Sequence, residues 1–442
     1  MNLPTGYRPP TTAHLLHRIL ESPDLLAGIR RLPGTTLARL VSRVGLEDAG
    51  ELVALASNEQ LCSMFDQDLF QSAEAGGDEH FDAGRFALWL SVIAESGDDF
   101  VVRCLTGMSV DLLTHAVHQL VLVLDMDQLA MATGLMYGDT GELDKALESR
   151  AYEEWQEFRL IARDEAAWEV VLSALLLLDR EHHDLLREIL ERCCILSNEL
   201  LAEYDYLHEV LTSDQALAVE VMDQRESRRA EQGFVSAADA RAFLALAQSG
   251  ADLHSRDAIA KAYFRNLNPQ EQPVAEGSVA HSSENGTDER RSTDAWQRLL
   301  SQADLHQEGR PLPAALTAGA AADHDGCVPT YLQLWAPVLD GKRHAELLEE
   351  LGFLANVLLA KCRVGAESKR PIEALEAAVA VCNVGVHVWL DRFATNPEEP
   401  LAVLQQVGAD QLFRCGLRHL QAGKVMGPLA AVLHDWLPLL TT

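Results

Sequence analysis

The chain has 442 residues, of which 48% are hydrophobic but only 6% are aromatic, and its formal net charge is −31. A chain of this length can bury more than one small core, so we expect two or three domains or one elongated array of helices. Its apolar residues are mostly Leu, Ala and Val, which suit helix-on-helix packing better than an extensive sheet. The negative charge argues against a nucleic-acid backbone or an anionic membrane surface as a direct partner, because both are bound by basic side chains.

The charge is distributed unevenly along the chain. Residues 1–45 carry six arginines against two acids, whereas residues 46–160 carry 23 acids against five bases. A solvated acidic surface explains the second segment, and the alternative is a basic docking arm beside an acidic face. Within this arm, Arg30 and Arg31 are the residues that we expect to contact an acidic partner.

Short amphipathic helices in series are predicted over residues 32–70. The apolar residues there recur at spacings of three and four, which is the period of one helix face. Ser57 and Gln60 have the spacing of a reciprocal capping box at the start of one of these helices. Helices of about a dozen residues are marginally stable alone, so we predict an irregular array, or solenoid, in which each helix stacks on its neighbours.

One segment departs from the helical pattern. Residues 129–137 and 155–161 alternate in polarity, and the polar turn at residues 138–141 contains two glycines. A small hairpin and a continued helical array are both open at this point. The predicted fold class is therefore all-α, with one small β-hairpin as the alternative.

Residues 266–293 form the clearest boundary in the chain. They contain almost no large apolar side chain and are rich in Pro, Gly, Ser, Asn and Glu, so we predict a disordered linker or long loop. The chain then divides into a stacked array of short helices over residues 1–265 and a C-terminal helical bundle over residues 294–442. We expect two apolar helices, within residues 347–360 and 372–390, to pack together at the centre of this bundle.

Sequence motifs for enzyme chemistry are absent. The chain has no glycine-rich nucleotide loop, no Gly-x-Ser-x-Gly elbow and no His-Glu-x-x-His. We therefore expect no cofactor and favour a protein that is not an enzyme, although a catalytic site assembled from distant residues stays open. None of the eight cysteines forms a Cys-x-x-Cys pair, and no charged-then-apolar leader is visible, which favours the cytoplasm. No apolar segment reaches the roughly 20 residues of a membrane span, so we expect no membrane insertion.

Asp111, His115 and His118 have the most suggestive metal-type spacing. On a helix they fall at positions i, i+4 and i+7, so all three share one face. Two imidazoles and a carboxylate can ligate a divalent ion. The polar edge of an amphipathic helix explains the same residues, and we favour that explanation. The prediction is thus no metal site, with these three residues as the candidates if one exists.

Several stretches resemble an uncharacterised family of bacterial proteins, a domain of unknown function. They are LPGTTLARLVSRVGLEDAGELVALASNEQL, RESRRAEQGFVSAADARAFLALA, LGFLANVLLAKC and EALEAAVAVCNVGVHVWL. Together they span most of the chain, and the resemblance implies a helical cytoplasmic protein. These motifs are of the packing type, so the resemblance implies no activity, cofactor or active-site residue.

The sequence favours a non-enzymatic protein–protein interaction or scaffold protein, because arrays of helices offer extended surfaces to protein partners. The alternative is a regulatory sensor that binds a divalent cation or a small ligand on the acidic helical region of residues 46–160. Partner identity and oligomeric state are open at this stage.

Overall fold

The computed structural model describes residues 17, 19–20, 25–125, 150–202, 213–248, 257–267, 331–332, 336–362, 370–393, 400–422, 433 and 436. These residues form two compact units, each with an apolar core. The first unit contains the described residues up to Phe70 together with residues 81–225, and the second contains residues 71–80 and the described residues from Glu226 onward. Helices dominate the described residues and the sheets have only two or three strands, which confirms the predicted all-α fold with minor β structure.

The first unit consists mainly of short helices, as predicted for residues 32–70. A long helical segment follows them, with a kink at His182, whose φ of −137° and ψ of 54° are not helical. The next helix begins in the first unit and ends in the second. In chain order the helices are α1 (Leu25–Arg31), α2 (Gly34–Val44), α3 (Gly50–Leu55), α4 (Asn58–Asp68), α5 (Ala83–Glu95), α6 (Asp98–Thr106), α7 (Val110–Leu120), α8 (Trp168–Ala202) and α9 (Ser213–Glu231).

The apolar stripe of α2 shows how a short helix is held in this unit. Leu37 and Leu40 have no exposed surface, and Val41 and Val44 are also buried. Full burial of one such side chain contributes about 1.5–3 kcal/mol, more than an isolated turn of helix gains by itself. The stripe therefore stabilises α2 through the core.

The capping box predicted at the start of α4 is present. The Ser57 hydroxyl accepts a hydrogen bond from the Gln60 backbone N–H at 3.2 Å, and the Gln60 side-chain oxygen accepts one from the Ser57 N–H at 2.9 Å. The Gln60 amide nitrogen also donates to the carbonyl of Ile29 at 2.8 Å. One side chain thus caps α4 and fixes it to the last turn of α1.

A three-stranded antiparallel sheet follows α7. Its strands are β3 (Val121–Asp125), β4 (Tyr152–Trp155) and β5 (Phe158–Ala162), in the order β3–β5–β4. β4 and β5 form a hairpin in which Trp155 pairs with Phe158, and Gln156 in the turn has a φ of 52°. Of the hairpin arm predicted at residues 155–161, residues 158–161 are extended in β5, while residues 156–157 form the turn of the observed hairpin. The arm predicted at residues 129–137 lies outside the described residues. A second sheet pairs β1 (Phe70–Gln71) with β2 (His80–Phe81).

The second unit is a set of longer helices around its own core. They are α10 (Ala237–Gln248), α11 (Ala258–Leu267), α12 (Gly341–Cys362), α13 (Pro371–Phe393), α14 (Pro400–Gln406) and α15 (Ala409–Gln421). The two apolar helices predicted from residues 347–360 and 372–390 are α12 and α13, and they pack together as expected. Ala377 and Ala378 are fully buried on α13.

The closest helix pair in this unit is α13 with α15, and two glycines make it possible. A Cβ atom built on Gly385 would overlap the carbonyl oxygen of Leu412, and one on Gly416 would overlap the carbonyl oxygen of Val381. The two backbones therefore touch directly at this crossing, and a side chain at either glycine would force the helices apart.

The cores divide the chain at a different place from the predicted boundary at residue 265. α10 belongs to the second core, where the ring of Phe243 lies 5.4 Å from that of Phe353 and 6.1 Å from that of Phe413. The boundary falls between Arg225 and Glu226, inside α9. Periodicity could not reveal it, because residues 223–229 are all polar and yet remain inside one helix, so no loop marks the division. The predicted linker of residues 266–293 lies outside the described residues, except that α11 extends to Leu267.

One described helix, Pro371–Arg392, is long and apolar enough to cross a membrane by composition. The bent pair formed by Asp98–Thr106 and Val110–Leu120 passes the same test only if it is counted as one span. Within Pro371–Arg392, 72% of the apolar window is buried inside the second unit. A core helix of a soluble protein has the same properties, so this finding is weak evidence for a membrane segment.

Replacement of Gly385 by Ala tests the close crossing of α13 and α15. We expect G385A to lower the free energy of unfolding by at least about 3 kcal/mol, because the added methyl group has no space against the Leu412 carbonyl. Urea unfolding followed by circular dichroism measures this change. Gly352 on α12 is the matched control, because a Cβ there meets no atom within 4 Å. G352A should be neutral or stabilising by up to about 1 kcal/mol, and equal losses for both variants would contradict the crossing.

Candidate functional site

The three residues singled out as metal-type candidates all lie on α7. This helix begins at Ser109, whose hydroxyl accepts a hydrogen bond from the Leu112 backbone N–H at 3.2 Å. His115 and His118 are 5% and 1% exposed, so neither ring lies on the surface. The prediction that both rings lie at the polar edge of the helix is therefore wrong, and the rings need an explanation as buried groups.

Asp111 accepts hydrogen bonds from residues of two other helices. Arg192 on α8 donates a hydrogen bond to its Oδ1, and Gln224 on α9 donates to its Oδ2 at 2.7 Å. The Arg192 guanidinium holds the pKa of Asp111 below its usual value. Both carboxylate oxygens thus have donors, and the structure pairs Asp111 with Arg192 and not with the histidines.

The carboxylate that faces both histidines belongs to Asp214, in the first turn of α9. Its Oδ1 lies 3.9 Å from Nδ1 of His115 and 3.7 Å from Nε2 of His118. These distances exceed those of hydrogen bonds, so the three groups are neighbours without direct bonds. On its other side the His115 ring meets the ring of Phe81 edge-on, with 5.2 Å between centroids.

Arg163, the residue after β5, completes this group. Its Nε and Nη2 atoms are buried and have no hydrogen-bond partner. The same holds for Nδ1 of His115, both ring nitrogens of His118, Oδ1 of Asp214 and the hydroxyl of Thr114. We call these five residues the buried polar cluster. Such a concentration of unpartnered atoms is unusual, since nearly all buried polar groups in native proteins are hydrogen-bonded.

The histidines of the cluster are neutral near pH 7. Burial lowers the pKa of His118 to about 4, and the positive charge of Arg163 acts in the same direction while Asp214 opposes both. Burial also lowers the pKa of His115, again against the opposing charge of Asp214. Burial lowers the pKa of Arg163 as well. A neutral imidazole offers one donor and one acceptor, so the cluster presents donors and acceptors side by side.

This arrangement is poorly suited to binding a divalent cation. Among the described residues, no group of three or more His, Cys, Asp and Glu side chains is placed to hold a metal ion. The guanidinium of Arg163 also acts electrostatically on both His118 and Asp214, and a positive charge there repels a cation. The metal interpretation of Asp111, His115 and His118 thus finds no support in the part of the chain that the structure describes.

Sequence reasoning missed Thr114, Arg163 and Asp214. Asp214 lies almost one hundred residues from the histidines in the chain, and its position at a helix start offers a capping role that explains it without them. Arg163 follows the predicted hairpin arm at residues 155–161, so the sequence indicated only that it lies near the end of a strand. Thr114 lies on α7 itself, next to His115. No local spacing joins Arg163 or Asp214 to this helix, because three separate elements bring the cluster together.

The predicted partner-binding residues lie on α1 in the same unit. Arg30 and Arg31 occupy its last turn and are both exposed. Leu26, one turn before Arg30, is 45% exposed, whereas Ile29 is fully buried in the core. The exposed side of α1 is therefore both apolar and basic.

The first unit also contains a cavity of about 20 Å³ between α5, α6, α7 and α8. Its walls are entirely apolar, with Phe86, Leu113 and Val171 among them. A dry space of this size has room for about one water molecule and no polar group to hold it. The cavity is a packing defect of the core and carries no chemistry.

A family model described as "Family of unknown function (DUF6178)" matches residues 11–424. No curated protein and no solved structure matches the chain. The family match covers both units and every residue of the buried polar cluster.

His118 makes the stability of the first unit depend on pH. Its folded pKa of about 4 lies below the unfolded value of 6.5, so the unfolded chain binds a proton first as the pH falls. The stability contributed by the neutral ring is complete above pH 6.5 and is lost between 6.5 and about 4. The shift corresponds to about 3 kcal/mol at most. Urea unfolding at a series of pH values should show this loss in the native chain and a flatter profile in H118Q.

The exposed His182 provides the control for this prediction. H182Q should retain the pH profile of the native chain, because its side chain lies in solvent on α8. A profile of H118Q that coincides with that of H182Q would show that the burial of His118 does not control acid stability.

Proposed function

We propose that this chain, which belongs to the Family of unknown function (DUF6178), is a non-enzymatic interaction or scaffold protein. It binds an acidic protein partner through the exposed side of α1. The family description assigns no activity, so the argument rests on the surface of this chain. One observation carries it: Arg30 and Arg31 are exposed beside Leu26 on a chain whose net charge is −31.

Helix geometry places Leu26 and Arg30 on one face, since they are four residues apart. Arg30 and Arg31 also complement the negative end of the helix dipole, which explains why arginines occupy the last turn. That role does not explain why Leu26, on the same face of α1, is 45% exposed. An apolar side chain bordered by arginines is typical of the centre and rim of a protein interface.

Charge complementarity supports an acidic partner. The first 45 residues have six arginines and two acids, against a strong excess of acids elsewhere. Opposite charge at the rim of an interface accelerates association and orients the partner, and salt weakens this effect. The partner in this proposal is a different acidic protein, and a second copy of the chain is an outcome that a mass measurement identifies.

We place the interaction in the cytoplasm. Among the described cysteines, Cys104, Cys193, Cys382 and Cys415 are buried free thiols. Burial raises the pKa of the Cys104 thiol to about 12, so this cysteine is a packing residue and not a nucleophile. Free thiols of this kind are typical of a reducing compartment. The net charge supports a protein partner over a nucleic acid.

Charge reversal on α1 tests the docking proposal. R30E/R31E should weaken partner binding about tenfold at low salt, because two attractive contacts become repulsive. Crosslinking followed by mass spectrometry identifies the partner, and the affinities are then measured at about 50 mM and about 300 mM salt. The affinity of the neutral variant R30Q/R31Q should lie between those of the native chain and R30E/R31E. Higher salt should reduce all these differences in affinity.

K342E/R370E is the matched control, since it changes the net charge by the same amount and its sites are exposed in the second unit. It should bind as the native chain does. The proposal fails if both reversals weaken binding equally, or if R30E/R31E keeps its affinity at low salt.

A second candidate function, a regulatory sensor of a small ligand, is favoured by the buried polar cluster alone. Unpartnered buried groups mark places where a bound molecule completes the hydrogen bonding. Thermal melting with Mg²⁺, Ca²⁺, Mn²⁺, nucleotides and small anions tests this function, because a ligand of the native state raises the melting midpoint. We expect the divalent cations to have no effect, given Arg163 beside the histidines. A chain whose midpoint responds to none of these compounds is not such a sensor.

A further inference from the structure

Arg163 presents the edge of its guanidinium that normally binds two oxygens. Nε and Nη2 lie side by side on this edge, and both are buried without a partner. Arg85 shows the usual use of the same edge, where Nε donates to Oδ2 of Asp68 at 2.7 Å and Nη2 donates to Oδ1 at 3.1 Å. Arg163 thus offers two parallel donors, in fixed geometry, to an acceptor that the described residues do not supply.

The groups near Arg163 add further unpartnered atoms. His118 has no hydrogen bond at either ring nitrogen, and the buried Thr114 hydroxyl has none. His115 lacks a partner at Nδ1. His118 is 1% exposed and Thr114 is fully buried, so solvent at the surface does not satisfy them. A group with several acceptor atoms would satisfy Arg163 and these neighbours together.

We propose that Arg163, His118, His115 and Thr114 form a binding site for a small oxyanion, that is, a carboxylate group or inorganic phosphate. Two of its oxygens accept from Nε and Nη2 of Arg163, as the oxygens of Asp68 do from Arg85. An imidazole N–H of His118 or the Thr114 hydroxyl supplies a third donor. The proposal deepens the sensor function by naming its ligand class and rests on that function, but it does not depend on the docking surface of α1.

Asp214 sets the conditions under which such a site binds. Its carboxylate lies 3.7 Å from Nε2 of His118 and repels an oxyanion, unless the rings take up protons and become donors at both nitrogens. The charged and titratable groups that act on His118 are Arg163 after β5, Asp214 on α9 and His115 on α7. From α8, the Cys193 thiol donates to the Thr114 carbonyl at 3.5 Å. We therefore expect binding to be tighter at acidic pH and to be accompanied by proton uptake.

The test uses the full chain with inorganic phosphate and acetate as probes. At about 10 mM, and with potassium chloride at equal ionic strength as the reference, at least one probe should raise the melting midpoint. Titration calorimetry then gives the affinity and, in buffers of different ionisation enthalpy, the number of protons taken up. Phosphate and acetate distinguish an inorganic ligand from a carboxylate-bearing one.

Substitution at Arg163 tests the assignment to this site. R163K keeps the positive charge but cannot donate two parallel hydrogen bonds, so it should lose at least about tenfold in affinity. The control is R187Q, since Arg187 lies exposed on α8 and pairs with Glu157 and Glu191. R187Q should bind as the native chain does. If Arg163 variants do not fold, the ring signals of His115 and His118 in nuclear magnetic resonance spectra of the native chain should move on addition of phosphate or acetate.

Three results would overturn the oxyanion site. They are a midpoint that neither probe raises above the chloride reference, an affinity that R163K retains, and histidine signals that do not respond. If nucleotides raise the midpoint while phosphate and acetate do not, the sensor function stands and the oxyanion is the wrong ligand. If no compound raises it, both are rejected.

Discussion

Apolar stripes that are too short to sustain a helix alone must be buried on neighbouring helices, and both units are organised by this requirement. In the first unit the stripe of α2 is buried completely, although the helix has only 11 residues. A helix of that length gains little from its own hydrogen bonds, so its stability is a property of the core. Several helices of the second unit are longer than α2, and their packing is limited by how closely two helices can approach each other. α13 and α15 meet backbone to backbone at Gly385 and Gly416.

The ion pair of Arg343 and Glu350 in the second unit is fully hydrogen-bonded, which contrasts with the buried polar cluster. Arg343 donates to both carboxylate oxygens of Glu350 and to the carbonyls that end α14, at Leu404 and Val407. Glu350 in turn accepts from the backbone N–H of Ala409 at 2.8 Å. Removal of one partner from such a pair leaves an uncompensated charge, so these residues serve the fold. The cluster around His118 lacks this mutual satisfaction, and for that reason it is the place in the first unit where a ligand is plausible on physical grounds.

The two binding sites that we propose in the first unit differ in kind. The side of α1 that carries Leu26, Arg30 and Arg31 is open to solvent, and its charge acts over about a Debye length on an approaching partner. The histidines of the buried polar cluster are enclosed, whereas the Asp214 side chain is 31% exposed. The charges of the cluster act over a few ångströms, in a medium of lower dielectric constant than water. Binding at the cluster would stabilise the native state of this unit, while binding at α1 would depend on salt. The two activities are therefore separable in solution.

Sequence alone determined the helical class of the fold, the apolar stripe of α2, the Ser57–Gln60 cap and the two helices at the centre of the second unit, because each depends on neighbours within a turn or two. It also predicted Arg30 and Arg31 as partner-binding residues from a local excess of positive charge, and both are exposed on α1. It did not identify the boundary inside α9, because the polar residues around Arg225 and Glu226 remain helical and no loop marks the division. It paired Asp111 with the histidines because the three share one helix face, whereas the fold gives Asp111 to Arg192 and brings Arg163 and Asp214 to His118. Only tertiary packing decides which side chains from distant elements meet, because burial and charge act through space and not along the chain.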